Sequence, residues 1–127
     1  MSSYVLDASA LLAFLNSEPG GEAVAAILTQ AVISSVNLSE VVAKLADAGK
    51  PQIEITEFLG SLGLEVASFD TEMAYRSGML RPVTRQAGLS FGDRACLALA
   101  ELLGLPVLTT DRTWAQLDLG IEVQLLR

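Results

Sequence analysis

Four acidic residues, Asp7, Glu40, Asp93 and Asp111, stand where solubility alone does not explain a carboxylate. Asp7 follows the apolar pair Val5-Leu6 and precedes Ala8-Ser9-Ala10-Leu11-Leu12-Ala13, with no basic neighbour. A carboxylate at the edge of a buried strand is unfavourable unless something compensates it. Capping a helix that begins at Ala8 is one such compensation. Glu40 closes Asn37-Leu38-Ser39-Glu40, and Asp93 closes Ser90-Phe91-Gly92-Asp93; both have the spacing of a capping box. Asp111, in Thr109-Thr110-Asp111-Arg112, suits a plain N-cap. Taken singly, these three serve as well for caps as for ligands.

Jointly the four say more. Asp7 and Asp111 sit at the ends of predicted strands, and both box carboxylates are expected in the first turn of a helix. There backbone N–H groups and the helix dipole favour negative charge. Four carboxylates facing one pocket would repel and raise one another's pKa values, a conflict that a divalent cation removes. The chain has no histidine and one cysteine. Ser-His-Asp, Cys-His and His-ligated zinc chemistry are therefore excluded. Oxygen-only donors select Mg2+ or Mn2+. Such an ion meets substrate phosphate and activates water for in-line attack on a phosphodiester. Metal-dependent hydrolysis is favoured over histidine-based transesterification.

Elements that could carry these acids follow from periodicity. Tyr4 to Asp7, Val32 to Ser34, Leu64 to Ser68, Val107 to Thr109 and Ile121 to Val123 read as short strands. Helices are expected over Ala8 to Asn16, Glu22 to Gln30, Leu38 to Ala48 and Ile53 to Leu62. Asp70 should cap a helix running toward Arg85 that Pro82 bends or interrupts. Phe91 to Leu103 is helical, stopped by Gly104 and apolar nearly all round from Ala95, which marks a buried helix. Short apolar strands alternating with helices predict an α/β three-layer fold with a mainly parallel sheet. Ligands of such sheets gather beyond the carboxyl ends of the strands, where Asp7 and Asp111 would lie.

With 127 residues and 51% hydrophobic content, the chain fits one domain with a real core and is not a disordered tail. Cys96, in an apolar stretch, reads as a small buried hydrophobe. The start, Met1-Ser2-Ser3-Tyr4, has no basic region, so no signal peptide is expected. No apolar run approaches the roughly 18–20 residues that span a bilayer. A cytoplasmic location with no membrane contact is the default. Net charge is −7, from 8 basic and 15 acidic residues. That balance argues against nucleic acid unless bound cations, a local basic patch or a basic partner intervene.

Several stretches resemble a known family. Val5-Leu6-Asp7-Ala8-Ser9-Ala10-Leu11-Leu12-Ala13 looks like the opening of PIN-domain proteins. Leu89 through Ala100 resembles the third motif of VapC toxins, a bacterial branch of that family. Val107 through Trp114 resembles the fourth, and Ser34 through Val41 the second. Order and spacing agree from Tyr4 to Val123, as for a single PIN domain over 1–127. The resemblance implies a PIN-like fold and a Mg2+- or Mn2+-dependent endoribonuclease acting on RNA. It implies a toxin neutralised by a VapB-type antitoxin, in a homodimer and a toxin–antitoxin hetero-oligomer. The acidic ligands carry over onto Asp7, Glu40, Asp93 and Asp111. Supporting hydroxyls carry over onto Ser9 and Thr110, and a supporting polar side chain onto Asn37.

Arg81 and Arg85, with Arg76 nearby, could form a phosphate-binding rim or a solvated helix face. Arg94 and Arg112 adjoin motif acids, and Arg112 could equally meet an antitoxin. Trp114 reads as core packing rather than a base-stacking platform. Two other readings use the same residues. One is a different Mg2+-dependent nuclease or phosphatase. An aspartyl-nucleophile phosphatase would carry D-x-D where this chain has Asp7-Ala8-Ser9. The other is a non-catalytic binding module whose acids are only caps.

Overall fold

Val5, Val32 and Val107 pack into one apolar cluster, while their strand neighbours Leu6, Ile33 and Leu108 pack into another. This alternation is what a strand buried on both faces must show. The computed structural model describes residues 2–127, so Met1, the first residue of the predicted domain, lies outside the described residues. Its five strands are β1 (Tyr4–Leu6), β2 (Ala31–Ser34), β3 (Glu65–Ala67), β4 (Val107–Thr109) and β5 (Val123–Leu125). All pair in parallel, in the order β3-β2-β1-β4-β5.

Helices cover both faces, giving the three layers expected of an α/β fold. They are α1 (Ala8–Leu15), α2 (Gly21–Ala25), α3 (Ser35–Asp47), α4 (Gln52–Gly60), α5 (Thr71–Met79), α6 (Arg81–Thr84) and α7 (Phe91–Leu103). α7 and α5 build one cluster around Leu97, Met73 and the fully buried Trp114. α1, α2 and α3 build the other around Leu11, Val24 and Val41. Among the described residues no helix is long and apolar enough to cross a membrane.

The main departures from expectation have local causes. The helix foreseen over Glu22 to Gln30 breaks after Ala25, and a 3-10 turn over Leu28–Gln30 drops Leu28 into the core just before β2. α3 starts at Ser35, three residues early, because the Ser34 hydroxyl caps it by accepting from the Val36 N–H at 3.2 Å. The helix capped by Asp70 stops at Met79, and Pro82 falls in the first turn of the separate α6, where its missing N–H does no harm. The last strand is Val123–Leu125 rather than Ile121 to Val123: Gly120, at φ 71°, turns the chain, and β5 aligns Val123 with Val107. α7 is buried from Ala95 to Ala100, but its last turn is exposed.

Chain order and strand order together create the site. From β1 the chain moves outward to β2 and β3, then crosses back over to β4 and outward again to β5. The reversal falls between β1 and β4. A crevice opens at such a switch point, outside the carboxyl ends of the two strands. Leu6 is in register with both Ile33 and Leu108. The next residues along the three strands, Asp7, Ser34 and Thr109, therefore line up at that edge.

Candidate functional site

Asp7 is the buried member of the acidic set, 6% exposed. It caps α1: Oδ1 accepts from the Ala10 N–H at 2.8 Å and from the Ser9 hydroxyl at 2.7 Å. The Thr109 hydroxyl donates to Oδ2 at 2.5 Å. Burial nevertheless dominates and pushes the Asp7 carboxyl up to about 6. The bonds from Thr109, Ser9 and Ala10 oppose that rise, and the charge on Asp93 adds to it. The sheet edge thus holds a carboxylate that the fold makes uncomfortable as an anion.

Asp93 lies one turn inside α7, in the capping box the sequence spacing foresees. Its N–H donates to the Ser90 hydroxyl at 3.1 Å, and its Oδ2 accepts from the Ser90 N–H at 3.0 Å. Asp111 caps the 3-10 turn Arg112–Gln116, with Oδ1 accepting from the Thr113 N–H and hydroxyl at 3.0 and 2.7 Å.

Glu40 corrects the sequence reading. It stands in the second turn of α3, not the first, and no capping box joins it to Asn37. Asn37 is itself inside the helix and 1% exposed. Its Nδ2 donates to Glu40 Oε1 at 2.8 Å and to the Gly92 carbonyl at 3.0 Å. One amide group therefore ties α3 to the start of α7 and holds Glu40 there. Both partners are acceptors, so the amide has only one workable orientation. A Cβ on Gly92 would strike the Glu40 carboxylate. Gly92→Ala is expected to turn Glu40 away and weaken Mn2+ binding roughly tenfold. The melting temperature should barely move, because alanine suits a helix. Titration calorimetry on the two proteins checks this, and equal affinities would count against Glu40 as a ligand.

Asp7, Glu40 and Asp93 all reach the same buried thiol electrostatically. Cys96 is raised well above its usual value, by burial first and then by these three charges. Asp111 does not share in that field. It connects to the group through the backbone: its N–H donates to Thr109 Oγ1 at 3.0 Å, and Thr109 in turn holds Asp7.

The hydroxyl that joins Asp7 to the Asp111 backbone is that of Thr109. The Thr110 contribution is its N–H, donated to Ser9 Oγ at 3.0 Å. A polar residue ending an otherwise apolar strand was the signal available for Thr109. Asn37 meets Glu40 and the Gly92 carbonyl, as described above.

The donor set suits a hard divalent cation. Every candidate atom is a carboxylate, hydroxyl or amide oxygen. Glu40, Asp93 and Asp111 each keep one carboxylate oxygen free of hydrogen bonds among the described residues. Asn37 Oδ1 is buried with no partner. No three acids are drawn closely enough, among the described residues, to surround an ion as they stand.

The arginines divide. Arg76 pairs with Glu72 at 3.3 Å and Glu101 at 3.5 Å, which removes it from the proposed rim. Arg94 is braced inward, its Nη1 donating to the Ser77 carbonyl at 3.2 Å. Arg81, Arg85 and Arg112 are exposed, with no ion pair among the described residues. A cavity of about 570 Å3 lies elsewhere: an apolar groove between α3, α4 and β3, lined by Leu38, Val42, Ile55, Leu59 and Val66. It contains none of the four acids.

Residues 4–119 match the family model described as PIN domain. The chain is similar in structure to one in the DNA-bound VapBC complex of Salmonella typhimurium, with TM-score 0.78, 22% identity and 100% of both chains covered. It is similar to one in a toxin–antitoxin complex from Klebsiella pneumoniae, with TM-score 0.76, 21% identity and 98% of both chains covered. A third likeness is to Mycobacterium tuberculosis VapC20, described as a sarcin–ricin-loop-cleaving toxin. There the TM-score is 0.71 at 14% identity, covering 94% of this chain and 99% of that one. No curated protein matches the sequence significantly.

Proposed function

The chain belongs to the PIN-domain family, and from that premise we propose that it is a metal-dependent endoribonuclease, the toxin of a toxin–antitoxin module. Residues 1–127 form one PIN domain in this reading. The observation that carries it is the placement of Asp7 at the carboxyl edge beside the β1–β4 crevice, of Asp93 in the first turn of α7, and of Glu40 held against the start of the same helix by Asn37. A cap alone would not require Asn37 to hold Glu40, from a different helix, against the first turn that carries Asp93. That favours a catalytic site over a non-catalytic module whose acids are only caps.

Asp7, Glu40, Asp93 and Asp111 hold Mg2+ or Mn2+ in this account. When bound, the ion supplies Lewis-acid activation of water and neutralises charge on the scissile phosphate. The chain's own groups do the positioning. Ser9 and Thr109 orient Asp7. Asn37 orients Glu40, and Ser90 orients Asp93 with one oxygen left for the pocket. Arg81, Arg85 and Arg112 offer exposed cations to backbone phosphates, which eases the conflict between RNA binding and a net charge of −7. Arg94 contributes near the acids, held by Ser77.

The names of the structural relatives support the partners. A toxin that cleaves the sarcin–ricin loop supports RNA as the substrate. Toxin–antitoxin complexes, one bound to DNA, support a VapB-type antitoxin and a hetero-oligomer. We place the protein in the cytoplasm, as a homodimer before its antitoxin binds.

The test is cleavage of a panel of RNA, DNA and phosphomonoester substrates by the purified chain. RNA should be cut with Mg2+ or Mn2+, stopped by EDTA and restored by added metal. Cleavage that persists in EDTA would overturn the metal requirement. A preference for DNA or for phosphomonoesters would replace the ribonuclease reading with the alternative nuclease or phosphatase.

A further inference from the structure

Gly92, Asp93 and Arg94 are consecutive, and the two residues that flank the acid each tie α7 to a different helix. On one side the Gly92 carbonyl accepts from Asn37 Nδ2 of α3 at 3.0 Å. On the other, Arg94 Nη1 reaches α5 and donates to the Ser77 carbonyl at 3.2 Å. That carbonyl lies in the last turn of α5, where it also accepts from the Leu80 N–H at 3.3 Å as the helix ends. Carbonyls of a closing turn lack full intrahelical partners, and the helix dipole favours a cation beside them. Arg94 is thus seated as a C-terminal partner of α5.

The rest of the side chain is equally committed. Its guanidinium carbon lies over the Phe91 ring, 6.0 Å from the centroid, and Phe69 meets that ring edge to face at 5.4 Å. Arg94 Nε is buried with no acceptor among the described residues. Burying an N–H without a partner is unfavourable, and turning the guanidinium out to water would relieve it. The inward pose keeps the tie to Ser77 instead. Among the described residues no ion pair joins Arg94 to Asp93 or to any other acid, so the arginine does not occupy the carboxylate oxygens that a metal ion needs.

We infer that Arg94 is a positioning residue for Asp93: it fixes the first turn of α7 against α5, as Asn37 fixes it against α3, and does not itself meet RNA. The inference rests on the metal-site reading above and gives the arginine beside the acid a task inside the fold. The acid-bearing turn is held between two helices, and the Ser90 capping box sets the carboxylate on that fixed backbone.

The test uses the full chain and Arg94→Met, which keeps an unbranched stem against Phe91 and removes the donor. In titration calorimetry with Mn2+ the variant should bind about tenfold more weakly than the parent. The sign discriminates. Removing a positive charge beside a carboxylate site favours a divalent cation by Coulomb attraction, so a purely electrostatic role gives equal or tighter binding. Arg94→Lys keeps a cation able to meet a terminal carbonyl and should recover most of the affinity. Hydrogen exchange in the metal-free proteins supplies a second readout. The Asp93 and Arg94 amides, both bonded to Ser90, should exchange about tenfold faster in Arg94→Met, while the amides from Leu97 to Ala100 keep the parent's rates.

Mn2+ affinity in Arg94→Met equal to or above the parent's overturns the inference, as does a lysine variant no better than the methionine one. Faster exchange along the whole of α7 overturns it too, because that marks a general loss of stability. RNA affinity in EDTA whose fall with salt is shallower in Arg94→Met, by about one unit of slope, makes Arg94 a phosphate contact instead. If the parent binds no Mn2+, the metal reading falls first, and the exchange comparison still decides whether Arg94 holds the turn.

Discussion

Asp7→Asn is expected to abolish RNA cleavage and, at the same time, to stabilise the metal-free protein. The catalytic loss follows from removing the charge of the most buried of the four proposed ligands. Several kcal/mol of metal-supplied transition-state stabilisation would go with it, a fall of about a thousandfold or more. The gain in stability follows from the same charge. Asparagine keeps the shape and still accepts from the Ala10 N–H, while the Ser9 and Thr109 hydroxyls rotate to suit its amide.

The sign is fixed by the direction of the pKa change. Folding raises the Asp7 carboxyl from its ordinary 3.8 to about 6, so the folded state prefers the proton. The contribution to stability is fully present below the unfolded value and is lost as pH rises through the folded one. By pH 8 the metal-free protein has given up about 3 kcal/mol from this group. Thermal melts in EDTA should therefore fall between about pH 4 and pH 7 for the parent and stay flatter for Asp7→Asn. Added Mn2+ should rescue the parent at pH 8 and help the variant little. A variant that melts at or below the parent at pH 8 without metal would show that burial does not burden this carboxylate.

Thr109→Val should be nearly as damaging to the site while leaving all four acids in place. Valine matches the shape of threonine but strips Asp7 Oδ2 of its donor and the Asp111 N–H of its acceptor. Loss of a partner for buried polar groups costs roughly 1–3 kcal/mol. Without the Thr109 bond the Asp7 carboxyl moves further upward, since that bond lowers it. Groups that orient metal ligands typically matter by about 10–100-fold in affinity or activity. Calorimetric titration with Mn2+ should show a weakening of that order, and Thr109→Ser should recover most of it. Full Mn2+ affinity in the valine variant would mean that Asp7 needs no orientation from β4.

Local chemistry made much of the fold legible. Ser90 and Asp93 form their capping box because both partners lie within one turn of each other. Asp70 caps α5 and Gly104, at φ 66°, ends α7 for the same reason of proximity along the chain. The misread elements were those where a distant contact outranks local preference. Ser34 starts α3 early at the sheet edge, and β5 takes its register from β4 rather than from its own apolar run. Phe91 is apolar and helical, and nothing beside it in sequence says that the fold leaves it half open.

The four carboxylates are a case in point. Their types, and the absence of histidine, restrict the donors the proposed site can offer to oxygen, the kind a hard cation takes. That conclusion depends only on which atoms the chain possesses. Where those atoms meet is another matter, because it depends on pairings between residues far apart along the chain. The reversal of strand order between β1 and β4 sets Asp7 beside Thr109, 102 positions away in sequence. The missing side chain of Gly92 lets α3 come close enough for Asn37 to hold Glu40 against α7. No spacing of motifs encodes either contact; each follows from the parallel register and from how closely two helices pack.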